Sequence, residues 1–477
     1  MHTWSTYQIA AFDNVANGSG HTVINAVAGS GKTTVLQEAV SRHVPKGLST
    51  LFVAFNKSIA EELGRRLQGV EGVEISTLHA YGLRCVTQSL GRLRIDGHRV
   101  DDFCKILHGD ESGTWDLRRD LAKCVSLCKG SLTSTPEGVD EIIDAFGIDS
   151  ATNGSRAKFI QDVLKIMQQC TDVSDGRIDF DDMIWLPVVK NLRQRQFDRV
   201  FVDELQDLNA GQIELTLRAC KDGGRILGVG DPRQAIYRFR GADEHAFDNV
   251  KTRLEADELP LSICYRCCKA VIREAQRIVP AIEASPSAEE GEIRHASLDV
   301  MRKNAAPGDF ILSRTNAPLI SLCLGFLAEG RRASIQGRDI GTQLASQLAS
   351  FVKKIKAPSV EALRSYVEDW GVKECKRLAE KKRDTQAVED RVACLLALSE
   401  GATSVAAVVA RIESLFADMS GWGGAHIALS TTHKAKGLER DRVWLLASTY
   451  CKRPGVEEKN LYYVAVTRAR KELILVA

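Results

Sequence analysis

The sequence predicts an α/β fold made of two halves, each a parallel sheet flanked by helices, with one helical insertion in each half. Short apolar runs followed by helical patterns recur in both halves, which is typical of buried parallel strands joined by helices. Two stretches, 91–177 and 337–424, show helical apolar spacing without clear strands. Because 477 residues exceed the size of one compact domain, several domains are expected.

Composition limits the class of protein. The formal net charge is only +2, so a nucleic-acid surface would be local rather than a uniformly basic shell. The 13 scattered cysteines favour a reducing compartment, and we expect a cytoplasmic protein. Cys264, Cys267 and Cys268 form the only tight group, but further ligands at matching spacing are missing, so no zinc or iron–sulfur site is expected. The sequence shows neither a signal peptide nor an apolar run of ~18 residues, so neither secretion nor membrane spanning is expected.

A phosphate-binding loop is indicated between the first apolar strand and the helix after it. Gly29 and Gly31 let backbone N–H groups approach a polyphosphate at a helix N-terminus, whose dipole favours anions. Lys32 supplies a positive charge and Thr33 a hydroxyl for Mg²⁺. Ala26 stands where the usual pattern has its first glycine, and an ordinary glycine turn is the alternative. The predicted nucleotide-binding residues of this loop are Ala28, Gly29, Ser30, Gly31, Lys32, Thr33 and Thr34.

Polar or aromatic residues stand at the ends of the next two predicted strands, 51–55 and 73–79. Ligands of open α/β sheets gather at the carboxyl ends of strands, so Phe55, Asn56, Thr77 and His79 are candidate site residues, with ordinary loop residues as the alternative. Upstream of the loop, Gln8 lies on an amphipathic helix. Its amide is suited to an adenine edge, although a solvated polar residue has the same pattern.

Two adjacent carboxylates follow the strand that ends near Val202. Asp203 is suited to hold Mg²⁺ and its water shell, and Glu204 to orient or deprotonate an attacking water molecule. A solvated acidic turn is the alternative. The lysine loop upstream favours the interpretation as a magnesium–nucleotide site.

Aromatic and basic residues alternate after the next strand, which ends near Gly230. Tyr237 and Phe239 are suited to stack on bases while Arg238 or Arg240 meets phosphates, each stacked base contributing ~1–3 kcal/mol. A core with salt bridges is the alternative. This segment is therefore a candidate single-strand contact.

The second half repeats the strand pattern without a second lysine loop. A strand over 309–313 leads into polar residues, another begins near 427, strand 442–447 follows, a helix is expected over 458–470, and a last strand covers 473–476. The charged run 373–383 contains interspersed acids, which indicates a solvated helix face rather than a nuclear signal.

In this order the motifs resemble those of the UvrD/Rep/PcrA group of superfamily 1 DNA helicases. Their residues are most similar to those of the F-box DNA helicase branch and of compact phage or bacterial relatives. The resemblance covers nearly all of both α/β halves. It rests on Gln8 and on the segments 28–34, 54–57, 77–79, 203–207, 230–242, 265–266, 314–317, 431–439 and 463–469.

The resemblance implies two RecA-like P-loop domains, 1A and 2A, with helical insertions 1B and 2B. Domain 1A is expected over 1–90 and 178–262, and insertion 1B over 91–177. Domain 2A is expected over 263–336 and 425–477, and a reduced insertion 2B over 337–424.

The resemblance also implies roles for single residues. Gln8 would read adenine, Tyr265 would stack on it, and Glu439 would join the nucleotide contacts. Asp203 and Thr33 would hold Mg²⁺. The implied catalytic set is Glu204, Lys32, Gln234, Arg266 and Arg468, the last three meeting the γ-phosphate, where an arginine finger gives ~10³–10⁵ in rate. The implied DNA track is Phe55, Asn56, Thr77, His79, Tyr237, Phe239, Arg240, Arg314, Asn316, Thr431 and His433.

The function expected on this basis is an ATP- and Mg²⁺-dependent translocase that moves 3′ to 5′ on single-stranded DNA and unwinds duplexes in replication, repair or recombination. It would act as a monomer on single strands and single/double-strand junctions, with single-strand-binding or recombinase proteins as candidate partners. Two alternatives remain: a translocase that mainly strips proteins from single strands, and a nucleotide-switched DNA-binding module that does not hydrolyse ATP.

Overall fold

The computed structural model describes residues 3–148, 155–236, 245–380, 384–416, 426–451 and 455–477. These residues form two compact units, Met1–Ser262 and Ile263–Ala477. We call them the first and second unit. Among the described helices, none combines the length and the apolar character needed to cross a bilayer.

A six-stranded parallel sheet forms the centre of the first unit. The strands of this unit are β1 Thr22–Ala26, β2 Thr50–Ala54, β3 Val73–Thr77, β4 Arg94–Ile95, β5 Arg177–Ile178, β6 Phe197–Val202, β7 Cys220–Gly230 and β8 Asp257–Leu261. The order in the sheet is β3-β2-β6-β7-β1-β8. A separate two-stranded parallel ladder joins β4 to β5.

Helices cover the sheet of the first unit and form a helical part between β3 and β6. Their bounds are Thr6–Asn17, Lys32–Glu38, Lys57–Arg66, Leu78–Leu90, Arg99–His108, Trp115–Ser131, Pro136–Phe146, Arg156–Thr171, Asp182–Val189, Ala210–Arg218 and Ala246–Leu254. A π-helical turn, Ala39–His43, extends the second of these. Every residue of β2 is buried, as expected for a parallel strand covered on both faces.

A second six-stranded parallel sheet forms the centre of the second unit. The strands of this unit are β9 Ile263–Cys264, β10 Glu283–Ala284, β11 Glu292–Ala296, β12 Phe310–Ser313, β13 Ala333–Ile335, β14 Ile427–Thr431, β15 Arg440–Leu446 and β16 Ala469–Val476. The order in the sheet is β11-β16-β15-β12-β14-β13. The short strands β9 and β10 pair in parallel with each other.

Helices flank this sheet, and those between Leu298 and Leu415 share one apolar core with its strands. Their bounds are Lys269–Ala275, Leu298–Asn304, Ala317–Ala328, Arg338–Val352, Val360–Glu380, Gln386–Ser399, Val405–Leu415, Thr432–Ala435 and Val456–Val466. The two parallel sheets flanked by helices confirm the predicted α/β fold class.

Several element boundaries differ from the sequence prediction. Strand β3 ends at Thr77 and His79 lies in the following helix, because the Thr77 hydroxyl accepts a hydrogen bond from the Ala80 N–H and caps that helix. Strand β16 begins at Ala469 rather than near 473, because the preceding helix already ends at Val466. The ladder of β4 and β5 was not predicted, since two-residue strands carry no periodic signal.

A buried ionic cluster holds the helical part of the first unit together. Lys129 Nζ lies 2.6 Å from an Asp179 oxygen and 2.8 Å from an Asp182 oxygen, and Arg99 Nη1 lies 2.9 Å from the other Asp182 oxygen. Burial alone would lower the pKa of Lys129, but the two carboxylates raise it, so the lysine stays protonated. The cluster joins residues 83 positions apart in the chain.

We expect Lys129→Met to destabilise the protein by ~3–5 kcal/mol, because it removes the cation between two buried carboxylates and leaves Asp182 with Arg99 alone. Urea unfolding followed by fluorescence is a suitable measurement, since the Trp185 ring centroid lies 5.5 Å from Lys129 Nζ. Lys57→Met is the matched control, because Lys57 is exposed and pairs with the exposed Glu61. Equal unfolding midpoints for the two variants would contradict a structural role for the cluster.

Candidate functional site

The phosphate-binding loop has the backbone that its two glycines predict. Gly29 has φ 71° and Gly31 has φ 80°, both in the left-handed region, and Gly31 is the N-cap of the helix Lys32–Glu38. Ala26, at the position of the missing first glycine, is the last residue of β1 and is fully buried. This position therefore lies in regular strand and does not need a glycine.

The loop offers groups that suit a phosphate. The Ser30 hydroxyl oxygen is buried and has no hydrogen-bond partner among the described residues. Burial raises the pKa values of two nearby carboxyls, Asp203 and Asp231, and the positive charge of buried Lys32 opposes that rise. An unpaired buried hydroxyl costs free energy, and a polyphosphate at this helix N-terminus would supply its partner. The residues present thus fit a nucleotide.

Asp203 follows β6 at the edge of the sheet where β1 ends. The Thr33 hydroxyl donates a 2.7 Å hydrogen bond to Asp203 Oδ2, and the Glu204 N–H donates one of 2.9 Å to Asp203 Oδ1. Burial, followed by the charge of Glu204, raises the pKa of Asp203 to about 6. A bound cation would relieve this electrostatic cost, so the pair of Thr33 and Asp203 fits Mg²⁺.

Glu204 has a strained backbone. Its φ of 54° lies in the left-handed region, which non-glycine residues seldom occupy. Such conformations cost of order 1–3 kcal/mol and cluster at functional sites. One of the Glu204 carboxylate oxygens accepts a hydrogen bond from Gln206 Nε2.

A chain of hydrogen bonds connects Glu204 to Gln234. Gln206 donates to Glu204 and accepts a 2.9 Å hydrogen bond from the Asp231 N–H. Asp231 Oδ2 in turn accepts a 2.7 Å hydrogen bond from Gln234 Nε2. A Cβ on Gly230 would lie 2.5 Å from Gln206 Oε1, so the close approach of β7 requires glycine there. Sequence reasoning assigned no role to Gln206 and Asp231, although both belong to the motifs after β6 and β7.

Gln8 is buried rather than solvated. It is the third residue of the helix Thr6–Asn17, and its carboxamide oxygen accepts a 2.9 Å hydrogen bond from the Ser5 N–H. The Ser5 hydroxyl accepts from the Gln8 N–H in return, which completes a capping box. This observation excludes the alternative of a solvated side chain and fixes the orientation of the amide.

In the second unit, three predicted nucleotide contacts lie together. Arg266 forms an ion pair with Glu439, and its Nη1 lies 3.5 Å from the Thr467 carbonyl oxygen. Arg468 is fully buried and donates hydrogen bonds to the Val464 and Leu438 carbonyl oxygens at 2.9 and 3.2 Å. Burial, followed by the charge of Arg266, lowers the pKa of Arg468 to about 10, so it stays charged at neutral pH.

Tyr265 precedes Arg266 and is 43% exposed, which leaves ring surface for a stacking partner. Glu439 directly precedes β15, and Arg468 directly precedes β16. We call Arg266, Glu439 and Arg468 the arginine group. This group therefore lies at the amino edge of its sheet, whereas ligands of open α/β sheets usually bind at the carboxyl edge.

The candidate DNA contacts of the first unit follow β2 and β3. Phe55 is 42% exposed after β2. Asn56 and Thr77 cap helices, since their side chains accept hydrogen bonds from the Ile59 and Ala80 N–H groups at 2.9 and 3.2 Å. Their polar character thus has a structural cause as well. Burial lowers the pKa of His79, which keeps this side chain neutral at pH 7.

The candidate DNA contacts of the second unit lie at the carboxyl edge of its sheet. Arg314 forms a 2.8 Å ion pair with Glu458. Asn316 Nδ2 donates a 2.9 Å hydrogen bond to Asp390, which turns the amide towards the helix Gln386–Ser399. Thr431 ends β14 and is buried, and His433 follows in a short helix.

The predicted residues thus form separate groups. In the first unit, the structure brings together Lys32, Thr33, Asp203, Glu204 and Gln234, and in the second unit Arg266, Glu439 and Arg468. Tyr237, Phe239 and Arg240 lie outside the described residues.

Comparison with known proteins gives two family matches. Residues 8–255 match the UvrD/REP helicase N-terminal domain, and residues 426–476 match the UvrD-like helicase C-terminal domain. The first match alone spans more than half of the chain.

Curated relatives agree with these matches. The chain is 26% identical over 293 residues to the ATP-dependent DNA helicase PcrA of Bacillus subtilis, covering 56% of this chain and 38% of the relative. It is 28% identical over 258 residues to the ATP-dependent DNA helicase Rep of Buchnera aphidicola, covering 49% of this chain and 37% of that protein. The matched part is therefore well under half the length of these relatives. The chain belongs to the UvrD/Rep helicase family.

Proposed function

We propose that the chain is an ATP-dependent DNA helicase that translocates 3′ to 5′ on single-stranded DNA, with Mg²⁺ as cofactor. The observation that carries the proposal is the cluster of Lys32, Thr33, Asp203 and Glu204 at one sheet edge, with Glu204 tied to Gln234 through Gln206 and Asp231. The family and the names of its relatives support the choice of DNA as substrate.

The nucleotide-site residues of the first unit have the following roles in this proposal. Gln8 positions the adenine, while Lys32 and the N–H groups of 28–34 hold the phosphates. Thr33 and Asp203 would hold Mg²⁺, which neutralises charge on the β- and γ-phosphates when bound. Glu204 accepts a proton from the attacking water as the water oxygen bonds to the γ-phosphorus, and the bond from that phosphorus to the bridging oxygen breaks to release ADP.

The hydrogen bond from Gln206 holds the carboxylate of Glu204, whose backbone is strained, in one orientation. Because Asp231 donates a hydrogen bond to Gln206 and accepts one from Gln234, a displacement of Gln234 reaches Glu204 through Asp231 and Gln206. We propose that Gln234 senses the γ-phosphate in this way.

In the second unit, we propose that Arg266 and Arg468 stabilise charge on the γ-phosphate, Tyr265 stacks on the adenine and Glu439 contributes to nucleotide binding. The DNA track comprises Phe55, Asn56, Thr77, His79, Arg314, Asn316, Thr431 and His433, together with Tyr237, Phe239 and Arg240. We propose that this track binds single-stranded DNA and single/double-strand junctions. Roles in replication, repair or recombination, a cytoplasmic location, monomeric action and contacts with single-strand-binding or recombinase proteins belong to the same proposal.

The function is tested by ATP hydrolysis with and without single-stranded DNA, and by unwinding of duplexes with a 3′ or a 5′ tail. We expect DNA-stimulated hydrolysis and unwinding of the 3′-tailed duplex only. Hydrolysis that DNA does not stimulate would contradict the helicase. Displacement of proteins from single strands without unwinding would favour the protein-stripping translocase instead.

Glu204→Gln removes the proposed base, so we expect a ~10²–10⁴-fold lower kcat for DNA-stimulated hydrolysis. The dissociation constant of a fluorescent ATP analogue should stay within about threefold, because the phosphate-binding loop is intact. Glu61→Gln is the control, since Glu61 lies exposed on the helix Lys57–Arg66. Hydrolysis by Glu204→Gln at the parent rate would exclude Glu204 as the base.

Gln206→Leu removes one hydrogen bond to the Glu204 carboxylate. A hydrogen bond to a charged group contributes about 1.5 kcal/mol, which corresponds to a kcat about tenfold lower. Nucleotide affinity should change little, because Gln206 acts as a positioning residue. Gln168→Leu, an exposed glutamine of the helix Arg156–Thr171, is the control. A loss confined to nucleotide affinity would contradict the positioning role.

A further inference from the structure

Two buried cysteines flank Tyr265 and Arg266, two of the residues that we assign to the nucleotide in the second unit. Cys264 ends β9, and Cys267 follows three residues later, so the segment reads Cys264-Tyr265-Arg266-Cys267. The two side chains are 0% and 2% exposed. The proposed function uses Tyr265 and Arg266 but assigns nothing to the thiols between which they lie.

The two thiols contact each other. A hydrogen bond between them lowers the pKa of Cys264 and raises that of Cys267, and the nearby charge of Arg266 also stabilises a Cys264 thiolate. A thiolate is therefore favoured at Cys264 over Cys267. A cysteine pair with this spacing beside a cation is typical of reactive dithiols.

The dithiol also touches the arginine group. The Cys267 thiol donates a hydrogen bond of 3.6 Å to the Thr467 carbonyl oxygen, the same atom that lies 3.5 Å from Arg266 Nη1. Thr467 directly precedes the buried Arg468. Any change at Cys267 therefore reaches both arginines through one carbonyl group.

The neighbouring Cys268 has a different environment. Its thiol donates a 3.3 Å hydrogen bond to the Lys471 carbonyl oxygen, and a Cβ on Gly291 would lie 2.1 Å from its sulfur. It is therefore packed against β16 and provides a matched control within the same segment.

We propose that Cys264 and Cys267 form a reversible disulfide on reaction with a hydroperoxide, and that this modification lowers ATP turnover by displacing Tyr265 and Arg266. The inference rests on the proposed function for its effect on turnover, but the disulfide itself is independent of it. A disulfide joins two sulfurs at about 2.05 Å, closer than two hydrogen-bonded thiols, so the intervening backbone must move. The disulfide also removes the S–H group that Cys267 donates to Thr467.

The chemistry balances with hydrogen peroxide as oxidant. The Cys264 thiolate attacks one peroxide oxygen, the O–O bond breaks, and a proton completes the departing water, which leaves a sulfenic acid on Cys264. The Cys267 sulfur then attacks the Cys264 sulfur, the S–O bond breaks, and a second water leaves with the Cys267 proton. Two thiols and one peroxide give one disulfide and two waters. A dithiol reverses the reaction by thiol–disulfide exchange.

The experiment treats the full chain with hydrogen peroxide, alkylates the remaining thiols and maps disulfides by mass spectrometry. A parallel sample is assayed for DNA-stimulated ATP hydrolysis before and after dithiothreitol. We expect a Cys264–Cys267 disulfide and at least a fivefold loss of hydrolysis that dithiothreitol reverses. Because both sulfurs are buried, exposed Cys451 should alkylate faster than either.

Cys264→Ser, Cys267→Ser and the apolar replacement Cys264→Ala should hydrolyse ATP when reduced and lose the response to peroxide. Cys268→Ser should keep the response to peroxide. Absence of a Cys264–Cys267 disulfide in the treated parent chain would overturn the inference, as would a mapped disulfide without loss of hydrolysis. Lack of hydrolysis in the untreated parent would instead contradict the proposed function, and the disulfide map would then decide the modification alone.

Discussion

The burial of Asp203 beside Lys32 is the constraint on which the first unit depends. A carboxylate in the protein interior needs a positive charge or hydrogen bonds nearby. Lys32 and Thr33 come from the end of β1, while Asp203 comes from the end of β6, with β7 between the two strands. Parallel pairing in this order brings the three strand ends to one edge, and the loop conformation of Gly31 turns Lys32 towards it.

Local patterns predicted the parts of the site that lie within a few residues of each other. The phosphate-binding loop and the pair Asp203–Glu204 are such parts, because strand, turn and charge are adjacent in the sequence. The link through Gln206 to Asp231 spans 25 residues and depends on the register that sets Val202 beside Gly228. No periodicity shows that register, so the link became visible only in the folded chain.

Contacts between residues far apart in the sequence also explain why the buried ionic cluster was not predicted. The helical part between β3 and β6 reads as an ordinary polar and apolar pattern, yet Arg99 and Lys129 are buried there against Asp182. Arg99 and Asp182 lie 83 positions apart in the sequence, where pattern reasoning does not reach. The end of strand β3 was predicted at His79, two residues too late, because the Thr77 side chain caps the helix that follows.

The length of strand β15 sets the distance between the two edges of the sheet in the second unit. Strand β15 has seven residues, so its two ends are separated by ~20 Å. Glu439 and Arg440 lie at one end, and Leu446, near the carboxyl edge that carries Arg314 and Thr431, lies at the other. The length of the central strands therefore sets the distance between the arginine group and the candidate DNA contacts of the second unit. Losing one residue from β15 would shorten that distance by ~3.3 Å and reverse the facing of every later side chain in the strand. A deletion in β15 would therefore change the spacing between the two edges, whereas a substitution that keeps the strand would preserve it.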